Sequence, residues 1–342
     1  MERTFGSFLF INTFYLISIS GSTMDTNLNF WDDYNDLFLK SLANTNKTWS
    51  GPDCEDTFKK VKTNSQQITY TEKDFSYCRN ALGFRSEEFD DTDKVKILYG
   101  GCSLTEGVGL PLEHTWQSFL NEQISEEIQQ PVNMYNVGIG GLSIDAIARY
   151  IYITIKQKKF TPDAVFLLLP SPNRNELLCE NRYGEVGMYN FIPNFTGYSD
   201  PEIRIFHENV LKTFSPRQRI HDAFQNLLFL QTFLEAKGIP LYFATWDTFR
   251  FEIGKATKFT TDFSKVLRHY SPLSIRECVI DAPMLFDKDV YNLPFERKFP
   301  HNIGRDGMHP GPNSHWNFSK EFFKNLKTKK PFLELLSKWK EA

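Results

Sequence analysis

The sequence predicts a doubly wound α/β protein, a mostly parallel sheet with helices on both of its faces. Short apolar runs of strand length recur at Val95 to Tyr99, Met134 to Val137, Ala164 to Leu169 and Leu241 to Thr245. Unbroken apolar character is what a parallel strand covered on both faces requires. Between those runs lie longer stretches with apolar residues at helical spacing: Thr115 to Ile128, Ser143 to Gln157 and Pro216 to Ala236. The residues best suited to chemistry fall a few positions beyond the predicted strand ends, where a sheet of this kind places its site.

From the start of the chain, Phe8 to Ser20 is an apolar run of signal-peptide length followed by Gly21 and Ser22, although Glu2 offsets Arg3 and the run contains Asn12 and Thr13. It is too short for a comfortable membrane span. A sharply more polar segment opens at Met24, so residues 1–24 are read as a leader or a non-native extension. Residues 25–93 lack the later alternation and are read as an N-terminal extension packed on the main domain. Within them, Phe30 to Leu42 has the spacing of a short amphipathic helix. The main domain is assigned to 94–342. Two stretches of it, Pro170 to Pro216 and Ser271 to His309, read as irregular and are not expected to add to the sheet. The Lys-rich tail from Lys324 to Lys340, interleaved with Phe332, Leu333, Leu335 and Leu336, predicts one terminal amphipathic helix.

With 342 residues and 41% hydrophobic content the chain can bury a substantial core, and a net charge of −3 leaves no electrostatic footprint for nucleic acid. Membrane association is not expected. The five cysteines, Cys54, Cys78, Cys102, Cys179 and Cys278, are odd in number and without close pairs. They suggest neither a full disulfide framework nor a metal cluster, and they favour a reducing, cytoplasmic compartment over secretion.

Two motifs carry the chemistry. The run Lys96 to Tyr99 breaks at Gly100-Gly101-Cys102 and presents Ser103, while Asp306-Gly307-Met308-His309 brings an acid and an imidazole into one tight loop. A serine hydroxyl is a poor nucleophile at neutral pH and needs a base to take its proton. That base needs a carboxylate to fix its tautomer and to stabilise the imidazolium. Each residue also has a plainer use. Ser103 could cap the following helix, Gly138, Gly140 and Gly141 could serve only a tight turn, and His309 could be a surface histidine held by Asp306. Cys102 could act as a thiolate nucleophile, but in a strand–turn–helix unit its side chain is expected to point away from that of Ser103. The surroundings of Ser103 lack the second glycine of a nucleophile elbow.

These blocks resemble the SGNH hydrolases, also called the GDSL esterase/lipase family. Gly101-Cys102-Ser103-Leu104-Thr105-Glu106-Gly107 is similar to the family's Gly-Asp-Ser-x-Thr-x-Gly, with Cys102 in place of the aspartate. Asn136-Val137-Gly138-Ile139-Gly140-Gly141 fits Asn-x-Gly-x-x-Gly, and Asp306 to His309 fits Asp-x-x-His. The third block departs from the pattern: Leu169-Pro170-Ser171-Pro172-Asn173-Arg174-Asn175 keeps an asparagine but not the family's glycine and aspartate. The resemblance implies a three-layer, flavodoxin-like sandwich and a serine esterase that works without metal or organic cofactor. Ser103 would be the nucleophile, His309 the base and then acid, and Asp306 its orienting carboxylate. The N–H groups of Ser103 and Gly141 with the side-chain amide of Asn173 would form the oxyanion hole, Asn175 being the next candidate. The implied substrate is a small-molecule or glycan ester with a short acyl group such as acetyl. An O-acyltransferase on the same fold, or a non-catalytic glycan- or protein-binding domain, are the alternatives.

Overall fold

The computed structural model describes residues 39, 41–64, 70, 73–89, 94–157, 160–180, 186–191, 201–213, 216–246 and 303–341. A four-stranded parallel sheet forms its centre, from β3 (Val95–Gly101), β4 (Val132–Asn136), β5 (Ala164–Leu169) and β8 (Leu241–Thr245), in the order β4-β3-β5-β8. β5 and β8 coincide with the apolar runs, β3 continues two residues beyond its run, and β4 begins two residues before its run and ends one residue short of it; all four lie on largely apolar sequence because their side chains are claimed from both faces. Leu98, Val165, Leu167, Leu169, Leu241 and Phe243 enter one core with Ile147 and Ile151 of α4 (Ile144–Gln157) and Leu227, Leu230 and Leu234 of α6 (Pro216–Glu235). Their neighbours Ile97, Tyr99, Phe166, Leu168 and Tyr242 enter the opposite core. It is closed by α3 (Trp116–Ile128), α7 (Pro312–Leu326) and α8 (Lys330–Glu341). Burying each of these large side chains is worth roughly 1.5–3 kcal/mol, so the alternation of strand faces fixes the three layers.

Chain order places the crevice. From β3 the chain passes through α3 to β4 on one side, then returns through α4 to β5 on the other side of β3. Helices leaving on opposite faces open a gap at the carboxyl ends of β3 and its neighbours. Ser143 stabilises the start of α4 by accepting the Ala146 N–H at 3.2 Å, the usual work of a serine at a helix N-terminus.

Two expectations are corrected. The described residues of the stretch from Pro170 to Pro216 do not add to the central sheet, as expected, but they are largely regular: β6 (Asn175–Glu180) and β7 (Val186–Phe191) form an antiparallel hairpin, and α5 (Pro201–Thr213) follows. Among the described residues the hairpin pairs only with itself, in a ladder that pairs the facing half of each strand's backbone groups and needs no long apolar run. The Lys-rich tail is two helices, not one. A proline inside a helix removes an N–H and clashes with the carbonyl one turn earlier, so α7 ends at Leu326 and Pro331 sits in the first turn of α8. Of the helix expected over Phe30 to Leu42, only Leu39, Ser41 and Leu42 are described, and these are helical. Residues 1–24 and the stretch from Ser271 to residue 302 lie outside the described residues. No helix among the described residues is long and apolar enough to cross a membrane.

Ahead of the sheet, β1 (Asn46–Lys47) pairs antiparallel with β2 (Tyr77–Cys78), and α1 (Glu55–Asn64) lies between them in sequence. This segment is bound to the rest by a buried charge network. Arg305 and Asp53 are both fully buried and paired, with Nη2 to Oδ2 at 2.6 Å and Nε to Oδ1 at 3.1 Å. Tyr77 donates to the same carboxylate at 2.6 Å and its hydroxyl accepts the Gly109 N–H at 2.8 Å. Removing one partner of a buried pair strands the other charge. Asp53→Ala is expected to lower the unfolding free energy by about 3–5 kcal/mol, read as a lower denaturation midpoint in urea at neutral pH.

Candidate active site

Ser103 begins the four-residue helix α2 (Ser103–Glu106), two positions beyond the end of β3. The helix is capped through backbone alone: the Cys102 carbonyl accepts the N–H groups of Thr105 and Glu106, each at 2.9 Å, and no side chain caps it. Ser103 is thus not used as a cap. Its Oγ lies 2.9 Å from His309 Nε2, and His309 Nδ1 lies 2.5 Å from Asp306 Oδ2. Serine, imidazole and carboxylate form one hydrogen-bonded line across a sequence separation of 206 residues.

The acid is the best-held member of that line. Asp306 is fully buried, and its second oxygen, Oδ1, accepts the N–H groups of Met308 and His309 at 3.1 Å each. Burial by itself would raise its pKa; the His309 charge, the His309 side-chain hydrogen bond and the two backbone N–H groups outweigh burial and hold the carboxyl below the usual range. An ionised Asp306 fixes the proton of neutral His309 on Nδ1 and leaves Nε2 to accept the Ser103 hydroxyl. That tautomer is the one a general base toward serine needs.

The second motif lies beside Ser103. Asn136, at the end of β4, accepts the Gly138 N–H at 2.8 Å and donates to the Thr105 carbonyl at 2.8 Å, tying the loop to α2. The approach is so close that a Cβ on Gly138 would sit 2.7 Å from the Glu106 nitrogen, which any side chain would forbid. A Cβ on Gly140 would stand 3.8 Å from that of Ser103. Gly141 follows in the left-handed region, at φ +83°. Asn173 is buried in the turn after β5, whose Leu168 is the ladder partner of Gly101, so it emerges at the strand end adjoining that of Ser103. Asn175 instead opens β6. Cys102 is buried with Sγ 4.0 Å from Ser103 Oγ, so the two side chains are neighbours and not directed apart as expected; the imidazole nevertheless contacts the hydroxyl, not the thiol.

Several contributors were not singled out from the sequence. Glu106 is buried, accepts the Gly140 N–H at 2.6 Å on Oε2, and pairs through Oε1 with buried Arg79. Arg85, also buried, donates to the carbonyls of Gly107 at 2.8 Å and Leu110 at 2.9 Å, holding the loop after α2. Arg305 sits next to Asp306 and its N–H donates to the Gly109 carbonyl at 2.7 Å. The available signal was a glutamate and arginines inside otherwise apolar or Gly-rich blocks, where a charge is retained only if it is paired.

No protein-family model matches this sequence, and no curated protein matches it. Solved structures that resemble it are distant. The psychrotrophic esterase EstA from Pseudoalteromonas sp. is 15% identical, with 68% of this chain and 97% of that chain covered and a TM-score of 0.39. A member of the lipolytic protein G-D-S-L family from Veillonella parvula is 14% identical over 67% and 97% of the two chains, with a TM-score of 0.35. The lipase Lip_vut3 from goat rumen metagenome is 13% identical over 68% and 97%, with a TM-score of 0.36.

Because the folded-state value of Asp306 is depressed, its ionisation stabilises the native protein above the unfolded carboxyl's value of about 4. That contribution is lost as pH falls from there through the folded-state value. The difference in urea-unfolding free energy between the protein and its Asp306→Asn variant is therefore expected to shrink steadily as pH is lowered below about 4.

Proposed function

We propose that this chain is a serine hydrolase of the SGNH (GDSL) type that cleaves esters through an acyl-serine intermediate. The observation that supports it most is the line from Ser103 Oγ to His309 Nε2 at 2.9 Å and from His309 Nδ1 to Asp306 at 2.5 Å, at the carboxyl ends of a parallel sheet. In this reading His309 takes the Ser103 proton as Oγ attacks the ester carbonyl, and Asp306 stabilises the imidazolium. The carbonyl oxygen becomes an oxyanion that accepts from the N–H groups of Ser103 and Gly141 and from the Asn173 amide, each donor being worth about 3–4 kcal/mol in the transition state. Collapse breaks the bond to the alcohol oxygen, which leaves with the proton from His309. Water, deprotonated by the same imidazole, then releases the acid. The short acyl group, such as acetyl, and the carbohydrate alcohol inferred from family breadth belong to this same proposal, as does the division into an extension at 25–93 and a hydrolase domain at 94–342.

Glu106 has a positioning role here. It holds the Gly140 N–H and so sets the direction of the next N–H, that of Gly141. Geometric displacements of about 1 Å in such a site can cost about a hundredfold in rate.

The test is hydrolysis of 4-nitrophenyl acetate and butyrate. Ser103→Ala and His309→Ala are each expected to lower kcat by about a thousandfold or more while leaving the thermal midpoint near that of the parent. Activity that survives in either variant, or a parent that neither hydrolyses these esters nor transfers their acyl group to a sugar acceptor, would overturn the proposal. Glu106→Gln is expected to lower kcat by about ten- to a hundredfold with KM little changed, measured with the acetate ester.

A further inference from the structure

Two of the proposed oxyanion donors sit on loops that no backbone ladder joins. Gly141 lies beyond the end of β4 and Asn173 beyond the end of β5, and in the order β4-β3-β5-β8 those two strands are kept apart by β3, the strand that leads into Ser103. Pairing fixes each strand against β3, but the loops past the strand ends are beyond its reach. Donors that must converge on one oxygen therefore need a further link between these loops.

Both donors occupy the same place in a tight turn. The Leu142 N–H closes the turn Ile139–Leu142 on the Ile139 carbonyl at 3.4 Å, and the Arg174 N–H closes the turn Ser171–Arg174 on the Ser171 carbonyl at 3.1 Å. Gly141 and Asn173 are the third residues of their turns, Gly141 at the positive φ of +83° that this position can demand. One side chain joins the fourth residues. Arg174 Nη1 crosses from its own turn to donate to the carbonyl of buried Leu142 at 3.3 Å. The same guanidinium lies over the ring of Trp246, 5.2 Å from its centre, and the Trp246 N–H donates to the Leu169 carbonyl at the end of β5 at 3.3 Å.

We propose that Arg174 is a positioning residue for the oxyanion hole, setting the separation of Gly141 and Asn173 by joining their two turns. The proposal rests on the ester-hydrolase reading of Ser103 and assigns Arg174 no contact with substrate. An arginine suits the task because its planar fork can stack on Trp246 and donate to Leu142 at once, whereas a lysine ammonium is a point charge on a flexible stem. An oxyanion donor counts most once charge has developed on the carbonyl oxygen, so a displaced donor lowers kcat and leaves KM near its original value.

The experiment is a double-mutant cycle on the full chain with 4-nitrophenyl acetate, together with amide hydrogen exchange of the same proteins read by mass spectrometry. Arg174→Ala is expected to lower kcat about ten- to a hundredfold while KM changes less than about threefold. Arg174→Lys, which keeps the charge but not the fork, should fall within about threefold of Arg174→Ala. In an Asn173→Ala background the loss from Arg174→Ala should be at least about threefold smaller than in the parent, because one donor it positions is already gone. Peptides spanning 137–143 and 170–175 should exchange faster in Arg174→Ala, with exchange across β5 unchanged as the control for folding. The proposal is overturned if kcat is unchanged, if KM rises in place of a fall in kcat, if the Arg174 and Asn173 losses are independent of each other, or if exchange in both segments is unaltered. A parent without esterase activity whose two segments still respond to Arg174→Ala overturns the hydrolase reading, and with it the catalytic consequence assigned to Arg174, while the link between the turns stands.

Discussion

The arrangement of the candidate site depends on one buried ion pair. Arg305 is enclosed completely, its guanidinium 4.3 Å from the Trp49 ring centre and 3.8 Å from that of Phe75, and Asp53 supplies its counter-charge from 252 residues earlier. A charge in such surroundings is tolerated only when it is paired and hydrogen-bonded. The position of Arg305 is therefore dictated by the segment that carries Asp53. Asp306 follows immediately and His309 three residues later, so the loop that meets Ser103 is anchored from the N-terminal segment.

The same segment reaches the other side of the site. Tyr77, which shares Asp53 with Arg305, accepts the N–H of Gly109 in the loop beyond α2. Arg79 pairs with Glu106, and Glu106 holds Gly140. Serine helix, glycine loop and histidine loop come from distant parts of the chain. Each is fastened to residues between Trp49 and Arg85, and the desolvated charges there have few alternative positions in which they would be satisfied.

Much of this was legible in the sequence where a local pattern determines it. Ala164 to Leu169 and Leu241 to Thr245 form strands over the expected residues because a doubly buried strand must be apolar throughout. Ser103 and the pair Asp306 and His309 stood out because their loops are short and their chemistry is narrow. The ion pairs of Asp53 with Arg305 and of Glu106 with Arg79 were not legible, since nothing within a few residues of either partner names the other. The β6–β7 hairpin was missed because Asn, Gly and Tyr were read as loop composition, although a two-stranded ladder needs only backbone pairing. The break before α8 was in fact written in the sequence, as Pro331, but was outweighed there by the spacing of Leu333, Leu335 and Leu336.

Two histidines within one electrostatic neighbourhood show how the fold separates chemistry from structure. His309 keeps 17% of its side chain exposed between a buried carboxylate and the half-buried Ser103. His315, six residues on, is stripped of solvent and holds the start of α3 by accepting the Trp116 N–H at 3.0 Å on Nδ1. Burial, with a smaller effect from the His309 charge, depresses its value to about 3, which favours the neutral ring at neutral pH. A charged His315 would repel an imidazolium at His309. With His315 neutral, the carboxylate in contact with His309 is that of Asp306, and exposure rises along the line from fully buried Asp306 through His309 to half-buried Ser103, so the hydrogen-bonded line opens to solvent toward its serine end.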